Sequence, residues 1–533
     1  MADSQCLYLR NGNIWTGDPI CPRAESMIIR NGKIEALGST AQLDASPCAA
    51  DAVVYELDNV SVIPGFSDSH IHVLTSAKAM HSLDLSSASS LDDVISRLKK
   101  KASSVSPESW IYGTMLNENG WERPLLPTAK EIDKAGIPNP VLLHRICTHA
   151  TVANSQALFL AGIRALNLAN IERDPSGEPT GILYDDAQLP AYEVMKKDLY
   201  TRDTLIDYLD EYLRHAASFG LTTLHTCSAE SLGMGEELFL YEKMYEVGNL
   251  SCRVYCVHDA LSIPPMGPPR IGNDFVRFEG FKVFIDGAIG SRTAAMSVPY
   301  HDDPSTAGIL LHEFDELCEK IDEAARRHDH ILVHAIGDRA IGQQLDAIEK
   351  VCAKRGEPEH PYLLNHVEIC TPELIERMRR LPVACVIQPT YVYSDIDMVP
   401  ERLGAMERHA CVWKSLIDAG IALCGSSDAP IEALNPMYGI WALVDRTSWD
   451  GKRTWHEDQK LSLEQALQIY TVNPAKAYST WNWNGSLSVG KAADVVVLDR
   501  NIFDIPTSEL RNVKVLNTLL AGRSVYGSIS RWT

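Results

Sequence analysis

Two histidines one residue apart, His70-Ile71-His72, close the apolar run Val62-Ile63-Pro64-Gly65-Phe66. Residues i and i+2 of a strand point the same way, so both imidazoles can hold one ion. Four more residues of that kind stand at comparable places. His334 closes Ile331-Leu332-Val333, His366 follows Tyr362-Leu363-Leu364-Asn365, Asp428 follows Ile421-Ala422-Leu423-Cys424-Gly425, and Lys282 lies inside Phe281-Lys282-Val283-Phe284. Imidazole nitrogen and carboxylate oxygen suit zinc and similar first-row ions. One strand-end histidine reads as a ring bonded to backbone. Five strand ends in order, each offering such a residue, read as a metal centre of one or two ions.

Lys282 is the odd member, because an ammonium has no lone pair. Its plain reading is a buried lysine paired with Asp286 or another carboxylate. Asp428 has two readings as well. Beside a metal-activated hydroxide its carboxylate can accept a proton and pass it to a leaving amine. Asp428-Ala429-Pro430 also has the residue types of a helix start.

Positioning six such residues requires a scaffold of repeated strand ends. Between residues 62 and 478, apolar strand-like runs alternate with helical stretches, the pattern of βα units around a parallel sheet. Eight runs qualify: 62–66, 221–225, 253–257, 281–284, 331–333, 362–364, 383–387 and 421–424. This predicts an α/β fold, a TIM (β/α)8 barrel, whose C-terminal face carries the chemistry. Leu9-Arg10-Asn11-Gly12-Asn13-Ile14 and Ile29-Arg30-Asn31-Gly32-Lys33-Ile34 each place Asn-Gly between extended runs, which predicts two tight hairpins. Residues 494–499 and 513–518, with the turn Ala521-Gly522-Arg523, answer them from the far end. Neither piece has the apolar surface to fold alone, so the two predict one small β-sandwich. The expected division is 1–61 and 479–533 for the sandwich, 62–74 for the first barrel strand, 75–200 for an inserted α/β subdomain beside the barrel mouth, and 201–478 for the rest of the barrel. Within the insert, Ser90 with Asp93 three residues on marks a helix start. Pro264-Pro265-Met266-Gly267-Pro268-Pro269 reads as a stiff loop, and Gly337-Asp338 as a helix start.

The net charge of −21 over 533 residues argues against nucleic acid, which needs a basic surface. With 45% hydrophobic and 22% charged residues, the balance is that of a soluble globular chain. No membrane-spanning run and no secretory leader are read from it. Its 13 cysteines are dispersed, several inside apolar strands (Cys256, Cys385, Cys424), which predicts a reduced, cytoplasmic setting. Cys227 has no activating base beside it in sequence. The expected partner is a small-molecule substrate, with a homodimer as one admissible assembly.

Five segments carry a family resemblance: Pro64-Gly65-Phe66-Ser67-Asp68-Ser69-His70-Ile71-His72, residues 281–294 (FKVFIDGAIGSRTA), His334-Ala335-Ile336-Gly337-Asp338, Asn365-His366-Val367-Glu368, and Gly425-Ser426-Ser427-Asp428-Ala429-Pro430. The chain resembles the amidohydrolase superfamily, in its YtcJ-like and N-substituted formamide deformylase-like branch. The likeness runs nearly end to end, and the Lys282 segment with Ser291-Arg292-Thr293 is its most specific part. The resemblance implies a barrel flanked by the sandwich and, on Lys282, a carbamate formed with CO2 whose oxygens bridge two metals. His70, His72 and Asp428 would then hold one ion, His334 and His366 the other. His149 matches a substrate-facing histidine of the family, although Thr148 replaces the glycine before it. His225 is a second pocket candidate, and Thr226 stands where the family often has aspartate. Arg292 can grip a polar or anionic substrate group, or else pin its own loop. The implied activity is metal-dependent hydrolysis of an amide, formamide or related non-peptide C–N bond. The alternatives are a decarboxylase, lyase, isomerase or Lewis-acid biosynthetic enzyme on the same barrel, or a non-catalytic scaffold.

Overall fold

The computed structural model of the protein describes residues 6–147, 149–228, 236–259 and 272–528. The Pro264–Pro269 segment lies outside them. The chain divides into two compact units, one of residues 1–73 with 210–533 and one of residues 74–209.

The larger unit holds a sheet of eight parallel strands in sequence order: β1 Phe66–Ile71, β2 Leu221–Ser228, β3 Arg253–Asp259, β4 Val276–Phe284, β5 His330–Ala335, β6 Tyr362–His366, β7 Val383–Ile387 and β8 Ala422–Gly425. Backbone bonds close it. Asp428 N–H donates to His70 C=O (3.0 Å) and His72 N–H to Ala429 C=O (3.0 Å), tying the end of β8 to β1. The result is the expected TIM barrel. Small and branched side chains fill its lumen, among them Val257, Leu332, Leu363, Val386 and Cys424. A bulge in β4 decides which residues face inward. Cys256 pairs with Phe278 but Val257 with Gly280, so Glu279 is extra. Phe278 and Phe281 then both pack outward with Leu238, while Glu279 and Lys282 are wholly buried.

The first barrel strand differs from its expected span. Ser61–Pro64 belongs to another sheet, between Asn13–Trp15 and Val495–Leu498. The barrel strand starts only at Phe66. The apolar run passes through both sheets without a break in hydrophobicity, and Gly65 marks the crossing. A Cβ there would stand 2.1 Å from Thr222 Oγ1.

Two sheets make the sandwich. One orders Lys33–Gly38, Ser26–Arg30, Leu7–Arg10 and Val53–Glu56; the other orders Arg523–Tyr526, Val515–Leu520, Val495–Leu498, Ser61–Pro64, Asn13–Trp15 and Arg23–Ala24. They share a core that includes Leu9, Ile29, Val62, Val495 and Leu519. Asn31 and Gly32 take positive φ (50° and 76°) in the expected hairpin, as do Ala521 and Gly522. The other Asn-Gly is no hairpin. Leu7–Arg10 and Asn13–Trp15 lie in different sheets, and only Asn11 has positive φ. Gly12 is small for a packing reason, since a Cβ would meet Leu57 Cδ1 at 2.6 Å. Arg253 of β3 fastens the sandwich to the barrel: its guanidinium makes a buried two-pronged pair with Asp494 (2.8 and 3.0 Å).

The smaller unit contains a six-stranded mixed sheet covered by helices that include Leu91–Ala102 and Leu189–Leu199. Ser90 caps the first by accepting from Asp93 N–H (3.2 Å). Helix Asp338–Arg355 starts after Gly337 as expected. Among the described residues no helix is long and apolar enough to cross a membrane.

Candidate metal centre

His70 lies near the end of β1, with His72 two residues on. Their Nε2 atoms stand 3.1 and 3.2 Å from Asp428 Oδ1. Asp428 follows β8 with φ of 53°, a left-handed conformation that aspartate tolerates better than most residues. No helix starts at Asp428; the next begins at Pro436, capped by Asn435. Lys282 Nζ is 3.3 Å from His70 Nε2, reached across the lumen from β4. The His366 ring lies 4.3 Å from that of His334 and 5.9 Å from that of His70, centre to centre. The structure thus brings together all six residues expected to ligate.

Hydrogen bonds set which ring nitrogen carries a lone pair. His72 Nδ1 donates to Cys227 C=O (3.2 Å) and His366 Nδ1 to Gln388 Oε1 (2.8 Å), which leaves Nε2 as acceptor on each; that of His366 accepts from Asn365 Nδ2–H (2.9 Å), an amide that a metal would displace. His334 is reversed: its Nε2 donates to Gly287 C=O (3.1 Å), so Nδ1 is the free lone pair. Burial, then the Lys282 charge, pulls His70 and His334 down to about 3, and burial with His334 holds His366 well below its ordinary range. Burial alone would raise Asp428, but His70 first, then His72 and His366, keep it well below the usual carboxylate range. His70, His334 and His366 are therefore neutral imidazoles beside an ionised Asp428 carboxylate.

That set fits a metal. His334 Nδ1 and Asp428 Oδ1 are buried without a hydrogen-bond partner. The Nε2 atoms of His70 and His72 also converge on one carboxylate oxygen, and His70, His72 and Asp428 can reach one ion together. A cation satisfies such converging lone pairs, as a proton shared among three acceptors does not.

Supporting residues gave little signal in the sequence. Asp68 accepts from His70 N–H and from Ser427 N–H and Oγ–H (2.6 Å), fastening β1 to the Asp428 turn; burial pushes its carboxyl up to about 7. Its place two residues before His70, on one strand face, was the available clue. Asp286 accepts from Ala295, Ile336 and Gly337 N–H and so fixes the loops beside His334. Gln388 is steadied by donating to Ser426 Oγ (2.8 Å).

Each of the three expected substrate-binding residues has a protein partner. His225 is 2% exposed, its Nδ1 2.9 Å from Glu279 Oε2 and its ring stacked 3.6 Å from Tyr478. It belongs to a layer of packed side chains that also holds Tyr255, Arg277 and His330. Arg292 spends its guanidinium on Asp302 (2.7 and 3.1 Å), which Arg402 shares, so it pins its loop. His149 lies in the smaller unit, largely exposed, with Nδ1 2.8 Å from Asp185; Thr148 lies outside the described residues.

Comparison with known proteins agrees with this geometry. Residues 53–526 match the model of the amidohydrolase family. The chain belongs to that family. It is 33% identical to YtcJ of Bacillus subtilis over 95% of this chain and 96% of that one. It is 26% identical to an N-substituted formamide deformylase of Arthrobacter pascens, over 98% of each. Among solved structures, a metal-dependent hydrolase of Pyrococcus horikoshii superposes with a TM-score of 0.79 at 26% identity, over 95% of this chain and 99% of that one. This amidohydrolase is thus a metal-dependent hydrolase in the coarse sense that its family and fold share.

Proposed function

We propose that this amidohydrolase hydrolyses an amide, formamide or related non-peptide C–N bond in a small molecule, with one or two zinc ions. The observation that carries the reading is the convergence of His70 Nε2, His72 Nε2 and Asp428 Oδ1, with buried lone pairs left over. His70, His72 and Asp428 would hold one ion; His334 through Nδ1 and His366 through Nε2 would hold the other, with carboxylated Lys282 between them. When bound, the metal makes water a nucleophile at neutral pH and polarises the scissile carbonyl. Asp428 then takes the water's proton and delivers it to the leaving nitrogen; it is held ionised, as a base must be. Asp68 and Gln388 keep Asp428 and His366 in place. Similarity to a formamide deformylase supports the bond type. Thirteen cysteines, none of them in a disulfide, support a cytoplasmic setting.

The test is turnover of zinc-loaded protein on N-substituted formamides, acetamides and cyclic amides in 18O-labelled water. One labelled oxygen should appear in the acid product, and chelation should stop the reaction. Full activity without metal, or a product carrying no solvent oxygen, would remove this reading.

A further inference from the structure

The smaller unit has a cavity of its own. Its volume is about 520 Å3, and its described lining runs from Lys78 to Tyr208, inside that unit. Sites for small molecules span roughly 300–1,000 Å3. The six metal-site residues are not among those that line it. Aromatic rings make much of the wall. Trp110 is 4% exposed, the Tyr200 ring centre lies 4.8 Å from Lys78 Nζ, and Tyr208 stacks on His81 at 3.7 Å and 5°. Rings held by such contacts offer an aromatic ligand faces to stack on and edges to meet.

The same wall presents charges of both signs. Lys101, in the last turn of helix Leu91–Ala102, is half-buried, and its Nζ donates to His81 C=O (3.0 Å). That bond uses one of three N–H groups. Asp198, from helix Leu189–Leu199, accepts from the buried Trp110 Nε1–H through Oδ2 (3.2 Å). Glu108 also lines the cavity, and its Oε2 accepts from Ser106 Oγ–H (3.0 Å). Among the described residues neither Lys101 nor Asp198 is in an ion pair. One hydrogen bond aims each group, and each keeps donors or lone pairs for a ligand. A ligand of a single sign would satisfy one of them and be repelled by the other. A zwitterion satisfies both.

We infer that this cavity is a second ligand site, and that it takes an aromatic amino acid as its zwitterion. Lys101 receives the carboxylate, Asp198 the ammonium, and the rings of Trp110, Tyr200 and Tyr208 receive the aromatic side chain. The inference makes no use of the metal centre or of the reaction proposed there.

Calorimetry on the full, zinc-loaded chain tests it with four probes that differ by one feature each. L-Tryptophan has all three; 3-(indol-3-yl)propionate lacks the ammonium, tryptamine the carboxylate and L-alanine the ring. L-Tryptophan should bind at least about tenfold more tightly than each of the others, the scale of a hydrogen bond to a charged group. In Lys101→Met its affinity should fall to that of tryptamine, and in Asp198→Asn to that of the propionate, with the zinc content of both variants kept. The comparison among probes on wild-type protein stands whether or not either variant folds. Equal binding of tryptophan, tryptamine and the propionate would overturn the inference, as would no binding of tryptophan at millimolar concentration. Tryptophan affinity unchanged in both variants would place the amino acid elsewhere and overturn it too.

Discussion

The metal centre makes a sharp prediction about bicarbonate. His70 and His334 are pulled to about 3 by burial, with Lys282 adding to it, and Asp428 is held well below its ordinary range. At pH 6, three units above such a value, about one ring in a thousand is protonated. Between pH 6 and 8 these groups therefore release no protons when a metal binds. They weaken binding only as the pH falls towards about 4 and below, where protons compete for the rings. Any dependence on bicarbonate at constant pH must come from Lys282, since forming its carbamate takes up one CO2 unit. If the carbamate is required, apparent zinc affinity should rise about tenfold for each tenfold increase in bicarbonate, roughly 1.4 kcal/mol, until the site saturates. The assay is competition with a chromophoric chelator at pH 7, over bicarbonate from trace to millimolar. Lys282→Met should abolish the response. A wild-type affinity indifferent to bicarbonate would mean that Lys282 acts as an unmodified amine. A response that persists in the methionine variant would show that the reasoning has the wrong residue.

Lys282→Ala should lose turnover and part of its metal, and formate or propionate should restore some of each; normal metal content and activity would reduce Lys282 to a core residue. Asp428→Asn should keep the fold, read by circular dichroism, yet lose turnover by about a hundredfold or more, the scale of positioned acid–base catalysis; wild-type rates would exclude Asp428 as the base. Asp494→Asn leaves the Arg253 guanidinium buried without its counter-charge, so urea unfolding should show a loss of about 3–5 kcal/mol. A change under 1 kcal/mol would mean that water reaches Arg253.

The ligands were legible because strand ends are short, apolar and local, and the barrel puts them all on one face. What failed was non-local. The run through residues 62–66 reads as one strand because hydrophobicity does not record a change of sheet. Asn11-Gly12 carries a hairpin signal, but Leu57 packed over Gly12 decides the path. His225 and Glu279 are 54 residues apart and Arg292 and Asp302 are 10 apart; each pair is ordinary in sequence and settles in space what its partner is free to do. Gln388 and Asn365 are neutral amides, which no metal-seeking pattern picks out.

The sandwich has a consequence for how the chain is made. Ser61–Pro64 takes Asn13–Trp15 on one side and Val495–Leu498 on the other. About 430 residues separate Pro64 from Val495, roughly 20 to 90 s of ribosomal synthesis. For that interval Ser61–Pro64 presents an open, apolar strand edge, the surface on which nascent chains pair wrongly with one another. Arrival of Val495–Leu498 closes the edge, and the same passage brings Asp494 to Arg253. These later-made strands therefore complete a sheet begun by earlier ones, so translation that stalls before residue 495 should yield an aggregating chain even when all six metal-site residues have been made.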